Sequence, residues 1–263
     1  MLHSVLRDID QVMWILDEKG ERVANSGFAN KNFRVEFVET KKKCVIPVMI
    51  ITYPNSKYTI LFSHGNATDI GCMRDHLIDM AVKLQISIWC YDYTGYGLSK
   101  GGKPSIYHVI HDVDAIYKHM VEKKGIDAAT IVAYGQSLGS GPSVHIAQKN
   151  RIRGLVLHSG LMSGLRVIRN VAKTKWFDIF PNIDNLHHVP CPVFVIHGKA
   201  DEEIPLMHGE GLYNAAPNKY EPWFVEGAGH NNIEIHWREE FFNKMKAFLA
   251  WLDSHPPEVK QAS

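Results

Sequence analysis

Four cysteines in 263 residues, Cys44, Cys72, Cys90 and Cys191, stand far apart and form no CxxC pair. That spacing excludes a disulfide framework or a thiolate metal site, and reduced, mostly buried thiols are expected. Charge of one sign is equally scarce, since 29 Lys and Arg against 28 Asp and Glu leave a net +1. Without a basic excess no field gathers phosphates, so neither nucleic acid nor an anionic membrane is expected as the main partner. Long apolar runs are missing as well: the longest, over residues 44–53, is broken by Pro47 and is far too short to cross a bilayer. Residues 1–16 carry Asp8 and Asp10 inside their apolar pattern, which excludes the unbroken core of a secretory signal. No HExxH motif is present; His108 and His111 near Asp112 and Asp114, and the adjacent His187 and His188, match no ligand spacing, so no metal is expected. There is no repeat, low-complexity stretch or linker to divide the chain.

What the chain does carry is Gly135-Gln136-Ser137-Leu138-Gly139, set between an apolar, β-like run over 130–134 and a helix-compatible run over 140–147. A serine at a sharp strand-to-helix turn is lifted off the top of a sheet, and flanking glycines let strand and helix approach without Cβ clashes. Gly97-Leu98-Ser99-Lys100-Gly101 repeats the pattern, but Ser99 follows a loop and is trailed by Gly101-Gly102-Lys103-Pro104, which cannot start a helix behind it. Ser99 is therefore read as a loop residue and Ser137 as the candidate nucleophile. The same glycines nearly spell a phosphate-binding loop, yet Pro104 stands where a Ser or Thr must hold magnesium, and nucleotide binding is not expected.

Apolar residues at 2, 5, 6, 9, 12, 13 and 16 predict an amphipathic helix over 2–16, inside a lead-in of residues 1–32. Its polar face holds Asp8, Asp10 and Asp17 against Arg7, the wrong charge for anionic lipid, so docking on its own domain is expected. Runs over 33–38 and 45–52, joined by a lysine-rich turn, read as an antiparallel hairpin. Beyond Tyr58, short apolar runs at 59–62, 86–91, 130–134, 155–158, 193–197 and 222–225 alternate with helical stretches that include 69–84, 105–124 and 232–252. That alternation predicts an α/β fold, a mostly parallel, doubly wound sheet in one domain over 33–254, with a tail over 255–263. Residues 160–190 fall between two strands and read as a short lid over the site.

Acyl transfer needs a hydroxyl activated by an imidazole that a carboxylate orients. Asp201 leaves the C-terminal end of the 193–197 run, on the sheet edge expected for Ser137, ahead of the competing Glu202 and Glu203. Glu226-Gly227-Ala228-Gly229-His230 follows the next strand, and its small residues free His230 to swing toward the serine. Among fifteen histidines, His64, His158 and His197 also follow strands and are read as packing or hydrogen-bonding groups. For the oxyanion the backbone N–H of Leu138 and that of Asn66, with Ala67 as the fallback, are the candidates. Trp176, Phe177 and Phe180 in the lid either line an acyl pocket or serve as ordinary core contacts.

Taken in order, His64-Gly65-Asn66-Ala67-x-Asp69, Tyr91-Asp92-Tyr93-Thr94-Gly95-Tyr96-Gly97, Gly135-Gln136-Ser137, Phe177-Asp178-x-Phe180-Pro181-Asn182-Ile183-Asp184 and Glu226-Gly227-Ala228-Gly229-His230-Asn231 resemble the α/β-hydrolase superfamily. More narrowly, they resemble the alpha/beta-hydrolase domain-containing protein 17 group, over about residues 33–252. The resemblance implies an α/β-hydrolase fold, no cofactor, and a triad to which Ser137, Asp201 and His230 correspond. It also implies a serine hydrolase that removes fatty acyl groups from S-acylated cysteines of membrane-associated proteins. The group carries an acylated cysteine cluster near its N-terminus, whereas the first cysteine here is Cys44, in a predicted strand. The expectation is therefore a cytoplasmic enzyme, at most peripheral to membranes and without a stable anchor, acting on an acyl ester or thioester or an S-acylated protein. The alternatives are a general carboxylesterase, lipase-like or peptidase-like hydrolase, and a non-catalytic binding protein of the same fold.

Overall fold

The computed structural model describes residues 14–16, 22–24, 32–169, 171 and 173–255. The expected helix over 2–16 lies outside these residues as far as position 13, and its end is corrected. Strand β1 (Trp14–Leu16) pairs antiparallel with β2 (Arg22–Ala24), Trp14 opposite Ala24. Aromatic and β-branched residues such as Trp14, Ile15 and Val23 suit a pleated ladder better than a helix.

The short apolar runs form one eight-stranded sheet. The hairpin β3 (Phe33–Glu39) and β4 (Val45–Ile51) comes first, followed by β5 (Thr59–Ser63), α1 (Ile70–Leu84), β6 (Ser87–Tyr91) and α2 (Ile106–Lys118). Next come β7 (Ile131–Gln136), α3 (Ser140–Lys149), β8 (Gly154–His158), and two short helices, α4 (Gly164–Ile168) and α5 (Asn182–Asn185). The chain closes with β9 (Val193–Gly198), α6 (Met207–Ala215), β10 (Trp223–Val225), α7 (Ile233–His236) and α8 (Arg238–Ser254). In space the strands run β10-β9-β8-β7-β5-β6-β4-β3, parallel from β10 to β6 and antiparallel at β4. This is the mostly parallel α/β sheet with an N-terminal hairpin that the sequence predicts.

Both faces are covered, which is why the strands read as unbroken apolar runs. Along β7, Ile131 and Ala133 join a core shared with Val109, Val113 and Ile116 of α2 and Val144 of α3. Val132 and Tyr134 join the opposite core, with Leu77 and Ala81 of α1 and Phe241 and Phe248 of α8. Each fully buried Ile or Val in these layers contributes about 1.5–3 kcal/mol. Two predicted helices are divided: α2 gives way to a π-turn over His119–Lys123, and Trp237 departs from helical dihedrals between α7 and α8. Glu36 of β3 accepts hydrogen bonds from both His119 (3.1 Å) and Lys124 (2.7 Å), holding the widened turn in place.

The register that matters for the site is Ser63 of β5 beside Gly135 of β7. It sets the loop after β5 next to the turn after β7, at the carboxyl edge where open α/β sheets bind ligands.

Candidate active site

Ser137 follows the last residue of β7 and has φ +52°, a left-handed conformation that a side chain rarely adopts. The turn is tight because its glycines have no room for a side chain. A Cβ at Gly135 would lie 2.4 Å from the Gly139 carbonyl oxygen, and one at Gly139 only 1.9 Å from that of Ser63. Behind the serine, Ser140 Oγ donates to the Ser137 carbonyl at 2.7 Å as α3 begins. Ser99, by contrast, closes its own loop: its Oγ donates to the Tyr96 carbonyl (2.6 Å) and accepts from the Gly95 N–H (2.7 Å).

Two loops bring the partners of Ser137. After β9, Asp201 Oδ1 accepts the backbone N–H groups of Glu203 (3.0 Å) and Ile204 (2.8 Å), which fixes the carboxylate. Its Oδ2 lies 2.7 Å from His230 Nδ1, and His230 Nε2 lies 3.0 Å from Ser137 Oγ. The glycine-rich loop before His230 is pinned rather than free to swing. Gly229 N–H donates to Asn232 Oδ1 (2.9 Å), Ala200 N–H donates to the Ala228 carbonyl (2.9 Å), and Ser159 Oγ donates to the His230 carbonyl (3.4 Å). Burial alone would raise the Asp201 pKa, but the hydrogen bonds from His230 and the Ile204 N–H outweigh it and hold the carboxyl below its ordinary range. Of the competing carboxylates, Glu202 is exposed and Glu203 approaches the other ring nitrogen, Oε2 to Nε2 at 3.8 Å. His197 is fully buried, its Nε2–H donating to the Ile204 carbonyl at 2.7 Å, and burial lowers its pKa.

Of the oxyanion candidates, Leu138 follows the serine directly, and Asn66 sits one residue beyond Gly65, whose Cβ would be 3.7 Å from that of Ser137. The Asn66 loop is held from the β6 side. Tyr96 Oη donates to Asn66 Oδ1 (2.6 Å), Tyr93 Oη donates to the His64 carbonyl (2.6 Å), and His64 Nδ1–H donates to the Gly65 carbonyl (2.8 Å).

A cleft of about 230 Å³ opens over these groups, lined by Gly65, Asn66, Thr68, Met73, Gln136, Ser137, Glu203, His230 and Asn231. Among the described residues that line it, none comes from the segment over residues 160–190. Trp176 is 95% exposed and Phe177 57%, while Phe180, 5% exposed, packs against Gly141 on α3. Asn182 ties the same segment down by donating to Ser140 Oγ (3.2 Å) and the Leu161 carbonyl (2.9 Å). Phe180 is thus a core contact of the segment, the other reading its sequence allowed. Tyr96 and Asn231 enter the site although sequence reasoning singled out neither for it, and Glu203, weighed there only as a rival to Asp201, lines the cleft. Tyr96 and Asn231 lie inside the quoted motifs, and that is the signal that could have found them. Among the described residues no cluster of three or more His, Cys, Asp or Glu is placed to hold a metal ion, and no helix is long and apolar enough to cross a membrane.

A serine raised at the carboxyl edge of a largely parallel sheet, with a carboxylate and an imidazole from later loops brought to it, is the arrangement of the α/β-hydrolase class. Residues 54–183 match the family model described as serine aminopeptidase, S33. The chain is 43% identical over 198 residues to alpha/beta hydrolase domain-containing protein 17C of Homo sapiens, covering 75% of this chain and 59% of that one. It is 42% identical over 197 residues to protein 17B of Xenopus tropicalis, covering 74% and 67%. This chain belongs to the α/β-hydrolase superfamily, in the group of alpha/beta hydrolase domain-containing protein 17. It spans about three fifths of the length of the 17C relatives it matches. Among solved structures, the Pyrococcus furiosus esterase Pf2001 superposes with a TM-score of 0.69 at 18% identity, covering 83% of this chain and 91% of that one. Est1E of Butyrivibrio proteoclasticus, bound to ferulic acid, gives 0.65 at 15%, covering 83% and 99%. At such identities the fold is what they share.

Proposed function

We propose that this chain is a serine hydrolase that cleaves acyl esters and thioesters through Ser137, His230 and Asp201. The observation that carries the reading is the continuous path from Asp201 Oδ2 through both nitrogens of His230 to Ser137 Oγ, at 2.7 Å and 3.0 Å. Asp201 holds the His230 ring with Nδ1 protonated, so that Nε2 is free to accept. As Ser137 Oγ bonds to the acyl carbon, its proton passes to Nε2 and the carbonyl electrons move to oxygen. The N–H groups of Leu138 and Asn66 receive that oxyanion. Collapse of the intermediate expels the thiol or alcohol, which takes the proton from Nε2, and leaves Ser137 acylated. Water then repeats the sequence, its proton going to Nε2, and releases the carboxylic acid with the serine restored.

The finer substrate reading is an S-acylated cysteine, and its support is the resemblance to the protein 17 group. The cleft favours a division of the substrate: about 230 Å³ is below the usual range of an enclosing ligand pocket, so all but the first carbons of a fatty chain would lie outside it. A second reading, amide hydrolysis, is favoured by the description of the matched family model as a serine aminopeptidase. Fluorophosphonate labelling tests the nucleophile: wild type labels, Ser137→Ala does not, and Ser99→Ala does. Labelling that survives Ser137→Ala overturns the assignment. Matched acetyl and palmitoyl thioesters, oxygen esters and aminoacyl anilides then separate the substrate classes.

A further inference from the structure

Glu203 takes no part in the reaction as derived, yet its carboxylate stands at the reacting edge of the site. Its backbone N–H is held by Asp201 Oδ1 at 3.0 Å, and its side chain by Asn231, whose Nδ2 donates to Oε1 at 3.2 Å. The other oxygen, Oε2, lies 3.8 Å from His230 Nε2. With the side chain 65% exposed, the carboxylate faces the open cleft rather than the core. Among the described residues lining the cleft, Glu203 is the one that carries a carboxylate side chain.

The position decides which half of a substrate it meets. A leaving group must come within hydrogen-bond reach of Nε2 to collect its proton, whereas the acyl oxygen turns to the Leu138 and Asn66 N–H groups. A carboxylate beside Nε2 therefore faces the leaving group. We propose that Glu203 sets the leaving-group preference of this site, favouring esters and thioesters that carry positive charge on the leaving side. For a protein substrate this means an acylated cysteine flanked by lysine or arginine. The inference rests on the hydrolase reading above and names the substrate class of the same site.

Three acetyl thioesters test it: acetylthiocholine, with a cationic leaving thiol, S-ethyl thioacetate, which is neutral, and S-acetyl-3-mercaptopropanoate, which is anionic. Thiol release is followed for wild type and Glu203→Gln, a change that keeps the acceptor for Asn231 and removes the charge. Comparing each substrate between the two proteins cancels the intrinsic reactivity of the thioester. Relative to the neutral substrate, Glu203→Gln should lower kcat/KM for the cationic substrate about three- to tenfold and raise it for the anionic one. In wild type the cationic-to-anionic ratio should fall as ionic strength rises from about 0.02 to 0.5 M. A common factor for all three substrates would mean that Glu203 acts through His230, and overturns the inference, as does a ratio indifferent to both the substitution and salt. Fluorophosphonate labelling of Ser137 with no cleavage of any of the three overturns the leaving-group assignment and leaves the nucleophile standing. Absence of labelling as well fails the hydrolase reading and this inference with it.

Discussion

Gly139 and Ser63 meet so closely that a methyl group on Gly139 would sit 1.9 Å from the Ser63 carbonyl oxygen. The contact joins the turn after β7 to the end of β5, and the obstructing atom is backbone, which cannot rotate away. Gly139→Ala is expected to destabilise the protein by about 1–3 kcal/mol and to abolish hydrolysis, because the serine turn must open to admit the methyl group. Urea unfolding and ester assays check both. Full activity in the alanine variant would contradict the close approach.

Asp201→Asn is expected to leave the fold intact, because an asparagine oxygen still accepts from the Glu203 and Ile204 N–H groups. The rate should fall by about 10⁴ in kcat, since an amide no longer secures the protonated Nδ1 tautomer. Glu202→Gln should leave the rate within about twofold. The Asp201 pKa is lowered in the fold, so its contribution to stability is present above the ordinary 3.8 and is lost as pH falls through the folded value. Acid titrations of unfolding should therefore be flatter below that pH for Asp201→Asn than for wild type.

Asp112 behaves in the opposite sense. It is fully buried on α2, accepts from Thr94 N–H (2.6 Å) and Thr94 Oγ1 (2.8 Å), and burial pushes its pKa up from 3.8 to about 6 against those hydrogen bonds. The protonated form is the one the fold favours, so the stability it supplies is complete below 3.8 and is lost as pH rises through about 6. Between about pH 4 and pH 7, wild type should lose on the order of 2 kcal/mol relative to Asp112→Asn. Paired urea titrations at the two pH values measure it, and an unchanged gap would contradict the assignment.

Trp176 contacts Phe177 edge to face at 5.5 Å and is otherwise open to solvent, outside the cleft. Trp176→Ala should change stability by no more than about 0.5 kcal/mol, and kcat/KM for a short-chain ester by less than about twofold. A large loss on the short ester would return this residue to the reacting site.

Much of this architecture is legible in residues that lie near one another in the chain. Gly135, Ser137 and Gly139 sit between an apolar run and a helix-forming run, and that local grammar determines a strand, a tight turn and a helix. The unbroken runs at β5, β7 and β9 likewise determine strands buried on both faces, because no polar alternation marks a wet side. Contacts across long chain separations are a different matter. Asp201, Glu202 and Glu203 are adjacent carboxylates, and only the turn held by the Asp201 Oδ1 hydrogen bonds decides that the first reaches Nδ1 while the third faces Nε2. The site's Tyr96 and Asn66, thirty residues apart, meet because β5 and β6 are neighbours in the sheet. The lid aromatics show the same limit from the other side: their composition suits an acyl pocket, but Phe180 packs on Gly141 and carries the segment onto α3, leaving Trp176 and Phe177 in solvent. Periodicity records which face of an element is apolar; where a loop turns depends on backbone hydrogen bonds and close packing that form only once the sheet has assembled.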